Sequence, residues 1–175
     1  MSELQTAQTL TEETSSLKDI AGMYLTFRLG DEDYALEILK VQEIMGIIAV
    51  TPVPRTPEFI RGVINLRGKV IPVADLRLKF GIGAKEDTEK TCIIVLQVTR
   101  ELDMITMGVI VDEVSEVLDI TAEQIEPAPS FGSQVDMDFI MGMGKIDDRV
   151  VVILDADRLL TGSDVAAMNL ASKGS

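Results

Sequence analysis

Side chains that commonly carry catalysis or bind transition metals are scarce in this chain. It has no histidine and one cysteine, Cys92, among 175 residues. Zinc and copper sites need clusters of His and Cys, and a nucleophile–histidine pair needs a histidine. No GxGxxG or Walker-type loop occurs, and Gly142-Met143-Gly144 is only a fragment of a glycine-rich loop. We therefore expect no catalytic residues, no cofactor and no metal.

A group of four aspartates is a candidate site for a hard cation. Asp147 and Asp148 are followed by Asp155 and Asp157, and oxygen ligands of this kind suit Ca²⁺ or Mg²⁺. Aspartates are also common in turns and at the first residue of a helix. We interpret these four as turn and helix-start residues, because a similar segment earlier in the chain has Arg67-Gly68 at the corresponding turn.

Composition limits the classes of partner. The formal net charge is −13, so a general nucleic-acid-binding role is not expected. No apolar stretch has the length needed to cross a bilayer, and the N-terminus lacks the basic start of a secretion signal. Cys92 lies in an apolar run, where it fills core volume, and a single cysteine fits a reducing compartment. We expect a cytoplasmic protein without direct membrane insertion.

The most informative stretch of sequence runs from residue 59 to residue 80. Two alternating apolar runs, 62–66 and 69–73, are separated by Arg67-Gly68, which is typical of a tight β-hairpin. Asp75 then precedes a short amphipathic segment, where its carboxylate suits the start of a helical turn. The sequence therefore predicts a hairpin followed by a short helix.

This unit occurs again eighty residues later. Residues 59–75 match residues 139–155 without a gap, and residues 35–45 match residues 108–118. Any two hairpins share alternating Val and Ile, but here polar residues also match in kind and order: Gly62 with Gly142, Glu43 with Glu116 and Asp75 with Asp155. We interpret the pattern as a duplicated all-β unit.

The repeat also predicts the domain organisation. We expect a first barrel at about 23–81, a connector at 82–90 and a second barrel at about 91–162, since two small barrels suit a chain of this length. Residues 1–22 are polar and predicted to form a mobile N-terminal tail, and 163–175 a C-terminal tail.

Charge is distributed unevenly along the chain. Between Arg55 and Lys79 there are six basic residues and two acidic ones, whereas residues 101–138 contain ten acidic residues and no basic one. Such asymmetry favours oriented association with a charged partner. The alternative interpretation is that these are ordinary charged surface residues without a specific partner.

Several segments together resemble the CheW family of bacterial chemotaxis coupling proteins. They include KVQEI at 40–44, GVINLRG at 62–68 and PAPSF at 127–131, and the resemblance covers about residues 24–160. It implies an all-β fold of two SH3-like five-stranded β-barrels packed together, with short helices. It also implies a non-catalytic scaffold that couples the cytoplasmic hairpin tips of methyl-accepting chemoreceptors to the regulatory domain of the histidine kinase CheA, recruited to membrane-associated receptor arrays.

The resemblance also implies which residues bind each partner. The family's receptor-binding groove matches Ile38, Val41, Glu43 and Ile44 from the first copy and Val114 from the second, and Arg67 matches a residue needed for coupling. The PAPSF segment implies that Phe131 contacts the kinase. In physical terms, the aliphatic residues would exclude water beneath a bound helix while Glu43 and Arg67 fix its register. For Ile38 and Val41 the alternative is simple core packing.

A second hypothesis is a small-ligand-binding or enzymatic β-barrel with a site in the groove between the barrels. It requires a concave pocket with converging polar groups. Failure to bind any receptor or kinase fragment would favour it. Within the adaptor hypothesis, both flagellar and pilus-type or developmental pathways stay open.

Overall fold

The computed structural model describes residues 20–82, 86–100, 102–127 and 139–159. Strands dominate these ranges, as the alternating apolar pattern predicts. The elements are β1 (Gly22–Leu29), β2 (Glu32–Glu37), β3 (Val41–Gly46), β4 (Ile60–Leu66), β5 (Lys69–Asp75), helix α1 (Leu76–Lys79), β6 (Cys92–Arg100), β7 (Asp103–Val111), β8 (Glu113–Ile120), β9 (Ile125–Glu126), β10 (Ile140–Ile146) and β11 (Arg149–Leu154). Single 3₁₀ turns lie at Ile38–Lys40, Ala122–Gln124 and Ala156–Arg158.

The strands form two sheets with matching internal order. Sheet 1 has the order β8-β1-β2-β11-β10-β9, and sheet 2 has the order β3-β6-β7-β5-β4. Each sheet contains one parallel pair, β2 with β11 in sheet 1 and β5 with β7 in sheet 2. Strands β6, β7, β8, β10 and β11 of the second predicted copy correspond to β1, β2, β3, β4 and β5 of the first. With this correspondence, the two sheets have the same strand order. An antiparallel bridge between Thr51 and Val63 takes the place of β9 in sheet 2. Strand order therefore confirms the predicted duplication.

The predicted boundaries of the two barrels are wrong. Strands β1 and β2 belong to the same sheet as β8–β11, while β3–β5 belong with β6 and β7. The chain passes from sheet 1 to sheet 2 through the 3₁₀ turn after β2 and returns to sheet 1 between β7 and β8. The two halves thus exchange a strand pair. Apolar alternation identifies the buried face of a strand but not the sheet to which it belongs, which explains the error.

Three apolar clusters form the core. One contains only residues of sheet 1, including Tyr24 and Ile153, and another only residues of sheet 2, including Ile64 and Val95. The third, which we call the central cluster, combines both sheets and includes Leu25, Phe27, Leu36, Ile94, Leu96, Val109 and Leu154. The predicted class, all-β with two packed barrels, is confirmed, and the two-residue β9 adds a sixth strand to sheet 1.

The repeated hairpins β4–β5 and β10–β11 match residue by residue. A bulge follows Ile60 in the first and Ile140 in the second. The carboxylate of Asp75 accepts a hydrogen bond from the amide of Arg77 at 3.0 Å, as predicted for a helix start. Asp155 accepts one from the amide of Asp157, also at 3.0 Å. The polar matches seen in the sequence therefore mark equivalent turns of the backbone.

Gly62 allows the backbone of Thr51 to approach β4 closely. Its φ is +141°, and a Cβ at this position would lie 2.0 Å from the carbonyl oxygen of Thr51. At the equivalent Gly142 the nearest atom would be the carbonyl oxygen of Glu126, at 2.9 Å. Both glycines therefore admit the neighbouring strand segment, and Gly62 also tolerates a φ that other residues avoid.

We expect Gly62→Ala to lower the free energy of unfolding by about 3 kcal/mol or more, because backbone must move to relieve the clash. Gly142→Ala should cost less, about 1–2 kcal/mol. Gly46→Ala is the matched control, since nothing lies within 4 Å of a Cβ there. Urea unfolding of the three variants tests the order. Equal stability of the variants at Gly62 and Gly46 would contradict this account of the close approach.

Candidate protein-binding surface

Two edge strands, β3 and β8, carry aliphatic side chains on the face of the central cluster. In β3, Val41 lies opposite Leu96 and Ile44 opposite Ile94, both members of the central cluster. Directly opposed residues of an antiparallel pair point to the same face. Val41 is half-buried against the cluster, and Ile44 is 42% exposed. The aliphatic residues of β3 therefore extend from the core to the surface along one strand.

The other predicted aliphatic residues border the same cluster. Ile38, in the 3₁₀ turn before β3, and Val114, in β8, are both half-buried against it. The structure thus brings Ile38, Val41 and Val114 to a shared core, and Ile44 lies opposite Ile94, a member of that core. Part of each of the three half-buried side chains serves core packing, and the rest remains available at the surface.

Glu43 and Arg67 form an ion pair that the sequence did not predict. The guanidinium of Arg67 lies 2.7 Å from the Glu43 carboxylate, and the Arg67 side chain is 74% exposed. Glu43 is on edge strand β3 and Arg67 is in the turn after β4, the strand at the other edge of sheet 2. We call this contact the first rim pair. An exposed pair of this kind contributes about 1 kcal/mol or less to stability.

Arg67 also has an unusual backbone conformation. Its φ is +53°, followed by +84° at Gly68, which fits a type I′ hairpin turn. The first central position of that turn favours Asn, Asp or Gly, since other side chains pay a steric cost in the left-handed region. The equivalent turn in the second hairpin has Asp147 there, at φ +55°. Turn formation therefore does not explain an arginine at position 67.

Phe131, the residue assigned to the kinase contact, lies outside the described residues.

A buried ionic network joins α1 to the chain around it. The guanidinium of Arg77 contacts Asp75 at 2.9 Å, Asp112 at 2.9 Å and Asp87 at 3.3 Å, and its side chain is only 1% exposed. Arg61 also contacts Asp75 and Asp87, at 3.1 and 2.9 Å. Hydrogen bonds that the Arg77 guanidinium donates to Asp75 are the main cause that raises the pKa of Arg77 above its ordinary value. These groups neutralise one another, and we interpret the network as structural.

The network changes the interpretation of local charge. Arg61 and Arg77 were counted in the basic stretch 55–79, but both are engaged with carboxylates. The basic surface is therefore smaller than the sequence predicted.

Two of the four carboxylates considered for a cation serve other roles. Asp155 caps a 3₁₀ turn, and Asp157 binds Lys40 at 3.0 Å and the amide of Thr99 at 2.7 Å. Within the described ranges, no group of three or more His, Cys, Asp or Glu side chains is arranged to hold a metal ion.

Two pockets bear on the ligand-binding hypothesis. An apolar pocket of about 320 Å³ lies beside Ile38, with Met23 and Leu39 among its lining residues. A polar pocket of about 280 Å³ has Arg28 and Lys90 on its wall together with acidic side chains. Leu39 is 92% exposed, so the apolar pocket is an open surface feature rather than an enclosed ligand site.

Comparison with known proteins identifies the family. The CheW-like domain model matches residues 23–164. The chain belongs to the CheW-like domain family. It is 39% identical to the chemotaxis protein CheW of Klebsiella aerogenes, covering 99% of both chains. It is also 39% identical to CheW of Helicobacter pylori, over 78% of this chain and 80% of that protein.

A solved CheW structure agrees with the fold. The crystal structure of the scaffolding protein TtCheW from Thermoanaerobacter tengcongensis matches with a TM-score of 0.72 at 37% identity, covering 82% of this chain and 95% of that chain. The chain is therefore a non-catalytic chemotaxis adaptor of the CheW family. The ligand-binding or enzymatic alternative is not supported. In the part of the chain that the structure describes, no helix has the length and apolarity to span a membrane.

The buried network generates a pH-dependent prediction. Burial opposes ionisation of Asp87, but hydrogen bonds and charges from Arg61 and Arg77 outweigh it and lower its pKa. A carboxyl whose pKa is depressed by folding stabilises the protein above its unfolded pKa of about 4, and loses that effect as pH falls through the folded value. We expect Asp87→Asn to cost about 1–2 kcal/mol at pH 7 and progressively less below about pH 4.

Urea unfolding at several pH values measures this effect. Asp119→Asn, at an exposed position in β8, is the matched control and should change stability by less than about 0.5 kcal/mol. A cost of Asp87→Asn that stays constant between pH 7 and pH 3 would contradict the proposed ionic role.

Proposed function

We propose that this adaptor couples the cytoplasmic hairpin tip of a methyl-accepting chemoreceptor to the regulatory domain of the histidine kinase CheA. The observation that carries the proposal is a set of residues on and beside the edge strands, which we call the edge surface. It combines aliphatic side chains that pack on the central cluster or lie opposite its members with the Glu43–Arg67 ion pair of sheet 2, and it consists of Ile38, Val41, Glu43, Ile44, Arg67 and Val114.

The edge surface suits a helix better than a small molecule. An amphipathic helix presents an apolar stripe flanked by charges, and its apolar anchors bury best on a rigid, already packed support. Val41 and Val114 provide that support because each lies against the central cluster. Exposed Ile44 supplies apolar area that water covers in the free protein. Burying it under a helix is favourable at about 25 cal/mol per Å².

Arg67 is the residue we assign to fixing the register of that helix. Its left-handed backbone conformation costs about 1 kcal/mol of stability relative to Asn or Gly. Its ion pair with Glu43 contributes about 1 kcal/mol of stability at most. A strained residue without a stability benefit supports an interaction role. With 74% of the side chain exposed, the guanidinium is accessible to a carboxylate or a backbone carbonyl of the partner.

We assign the second contact, to the kinase, to Phe131 in the segment that matches the family's PAPxF motif. Contacts with two partners on one small protein allow each partner to raise the effective concentration of the other. Weak single contacts then suffice for stable recruitment to receptor arrays at the membrane. Cytoplasmic location follows from the same proposal, since both partner regions are cytoplasmic.

We expect Arg67→Asn to separate stability from binding. Asparagine tolerates the left-handed turn, so the free energy of unfolding should stay within about 1 kcal/mol of wild type. Loss of the guanidinium should weaken binding to a chemoreceptor cytoplasmic fragment by about tenfold, and Arg67→Glu should weaken it further. Calorimetric titration measures the affinity, and urea unfolding measures the stability.

Asp147→Asn is the matched control, because it changes the equivalent turn of the other hairpin. It should leave receptor affinity within about twofold. Wild-type affinity of both Arg67 variants, together with normal receptor-dependent kinase activation, would refute the proposed role of Arg67.

Phe131→Ala should weaken binding to the CheA regulatory domain by about tenfold or more, because an aromatic anchor is lost. The same variant should bind the receptor fragment normally, since Phe131 is not among the residues that we assign to the receptor contact. Pull-down with each partner alone makes the comparison. Equal loss of both interactions would instead point to general destabilisation.

A further inference from the structure

Edge strand β8 carries a second ion pair that the proposed function does not use. The guanidinium of Arg149, the first residue of β11, lies 3.2 Å from the Glu116 carboxylate. We call this contact the second rim pair. The two side chains are 43% and 53% exposed, so the pair lies at the surface.

The second rim pair occupies the place in sheet 1 that the first occupies in sheet 2. Glu116 is the repeat equivalent of Glu43, and β8 is the edge strand of sheet 1 as β3 is of sheet 2. In both strands the acid falls within the same β-bulge, since pairing shifts between Val41 and Glu43 and at the corresponding point opposite β8.

The aliphatic residues around Glu116 are equivalent as well. Val114 pairs with Phe27 and Val117 with Leu25, two members of the central cluster. Val117 is 44% exposed, against 42% for Ile44 at the corresponding position. Each edge strand therefore presents a half-buried valine, an exposed aliphatic residue and an acid paired with an arginine.

The arginine itself is supplied differently in the two halves. The position equivalent to Arg67 is Asp147, and the guanidinium of the second pair comes from two residues further along the hairpin. Arg149 also lies 3.7 Å from Asp33 on β2. In each half, an arginine from a different hairpin position thus forms an ion pair with the glutamate of the equivalent edge strand.

We propose that Glu116 and Arg149 are further specificity-determining residues for the helical receptor tip, acting at the β8 side of the edge surface as Glu43 and Arg67 act at the β3 side. This inference rests on the proposed function. Its link to that function is the repeat equivalence of the two edge strands, and Val114, which we assign to the receptor contact, lies two residues before Glu116 on β8. The ligand is a pair of helices whose apolar stripe is bordered by charges of both signs.

A purely structural role predicts something different. A surface ion pair that only joins β8 to β11 would affect stability by about 1 kcal/mol or less and would not alter the salt dependence of receptor binding. A pair that meets the partner adds an electrostatic contribution to affinity, which is screened as ionic strength rises. Affinity measured against salt therefore separates the two roles.

The test uses the full chain and a chemoreceptor cytoplasmic hairpin fragment, with Kd measured by fluorescence anisotropy at about 50 and about 500 mM salt. We expect Arg149→Glu to weaken binding about fivefold or more at low salt, with a smaller loss at high salt. Lys145→Glu is the matched control. It makes the same charge change in the same hairpin, where Lys145 pairs with Glu126 at 2.5 Å and both side chains are more than half exposed. It should change Kd by less than about twofold.

Arg67→Glu in the same assay keeps the two proposals distinguishable. If Arg67→Glu abolishes binding while Arg149→Glu behaves like Lys145→Glu, the second rim pair has no recognition role and only this inference fails. If Arg67→Glu also binds like wild type, the proposed receptor surface fails. Thermal unfolding checks each variant, and Arg149→Gln replaces Arg149→Glu if the reversed charge prevents folding. Light scattering that shows altered self-association with unchanged receptor affinity would overturn the inference in favour of a contact between two adaptors.

Discussion

The central cluster is the packing constraint on which the adaptor's surface depends. Because the two halves exchange β1–β2 and β6–β7, this cluster contains side chains from both sheets, and neither sheet covers its apolar face without the other. Burial of such side chains is the main favourable contribution to folding. The same packing fixes the edge strands, since Ile44 and Val117 lie directly opposite buried residues, Ile94 and Leu25. The aliphatic residues of the two edge strands are thus held by the interior, which limits the conformational entropy that they can lose on binding a partner.

Local features of the fold were predictable from sequence, whereas its long-range connections were not. The hairpin turns, the capping role of Asp75 and the equivalence of Gly62 and Gly142 follow from turn chemistry and spacing. The exchange of strands was missed because alternation is the same whichever sheet a strand joins. The sequence also does not predict the contact of Glu43 with Arg67, although both residues match the family's receptor-binding positions. This contact depends on how sheet 2 brings its two edges together, and no local pattern encodes that.

Charges counted along a segment of the sequence predict its surface charge in the fold poorly, for a physical reason. The segment with the strongest excess of basic residues contains Arg77, which is buried within a network of three aspartates. Two of those aspartates, Asp87 and Asp112, lie beyond the segment in sequence, so part of the excess is neutralised in the fold. Burying a charge without such partners would be costly. Arginines at hairpin ends, such as Arg67, remain exposed. The net charge of a segment therefore does not show where its exposed guanidinium groups lie.

Duplication provides an internal comparison between residues kept for folding and residues kept for contact. Where both copies have the same residue type at equivalent positions, as with the glycines and capping aspartates, the structure gives a backbone reason in each copy. The copies differ at one position with a known backbone preference. There the residue of one copy suits the backbone conformation and the residue of the other does not. Asp147 suits the left-handed turn, but Arg67 does not. The acids of β3 and β8 nevertheless each meet an arginine, delivered from different hairpin positions. The ion pair is therefore present in both copies although the turn residue differs, so the backbone preference of the turn does not determine whether the edge strand meets an arginine.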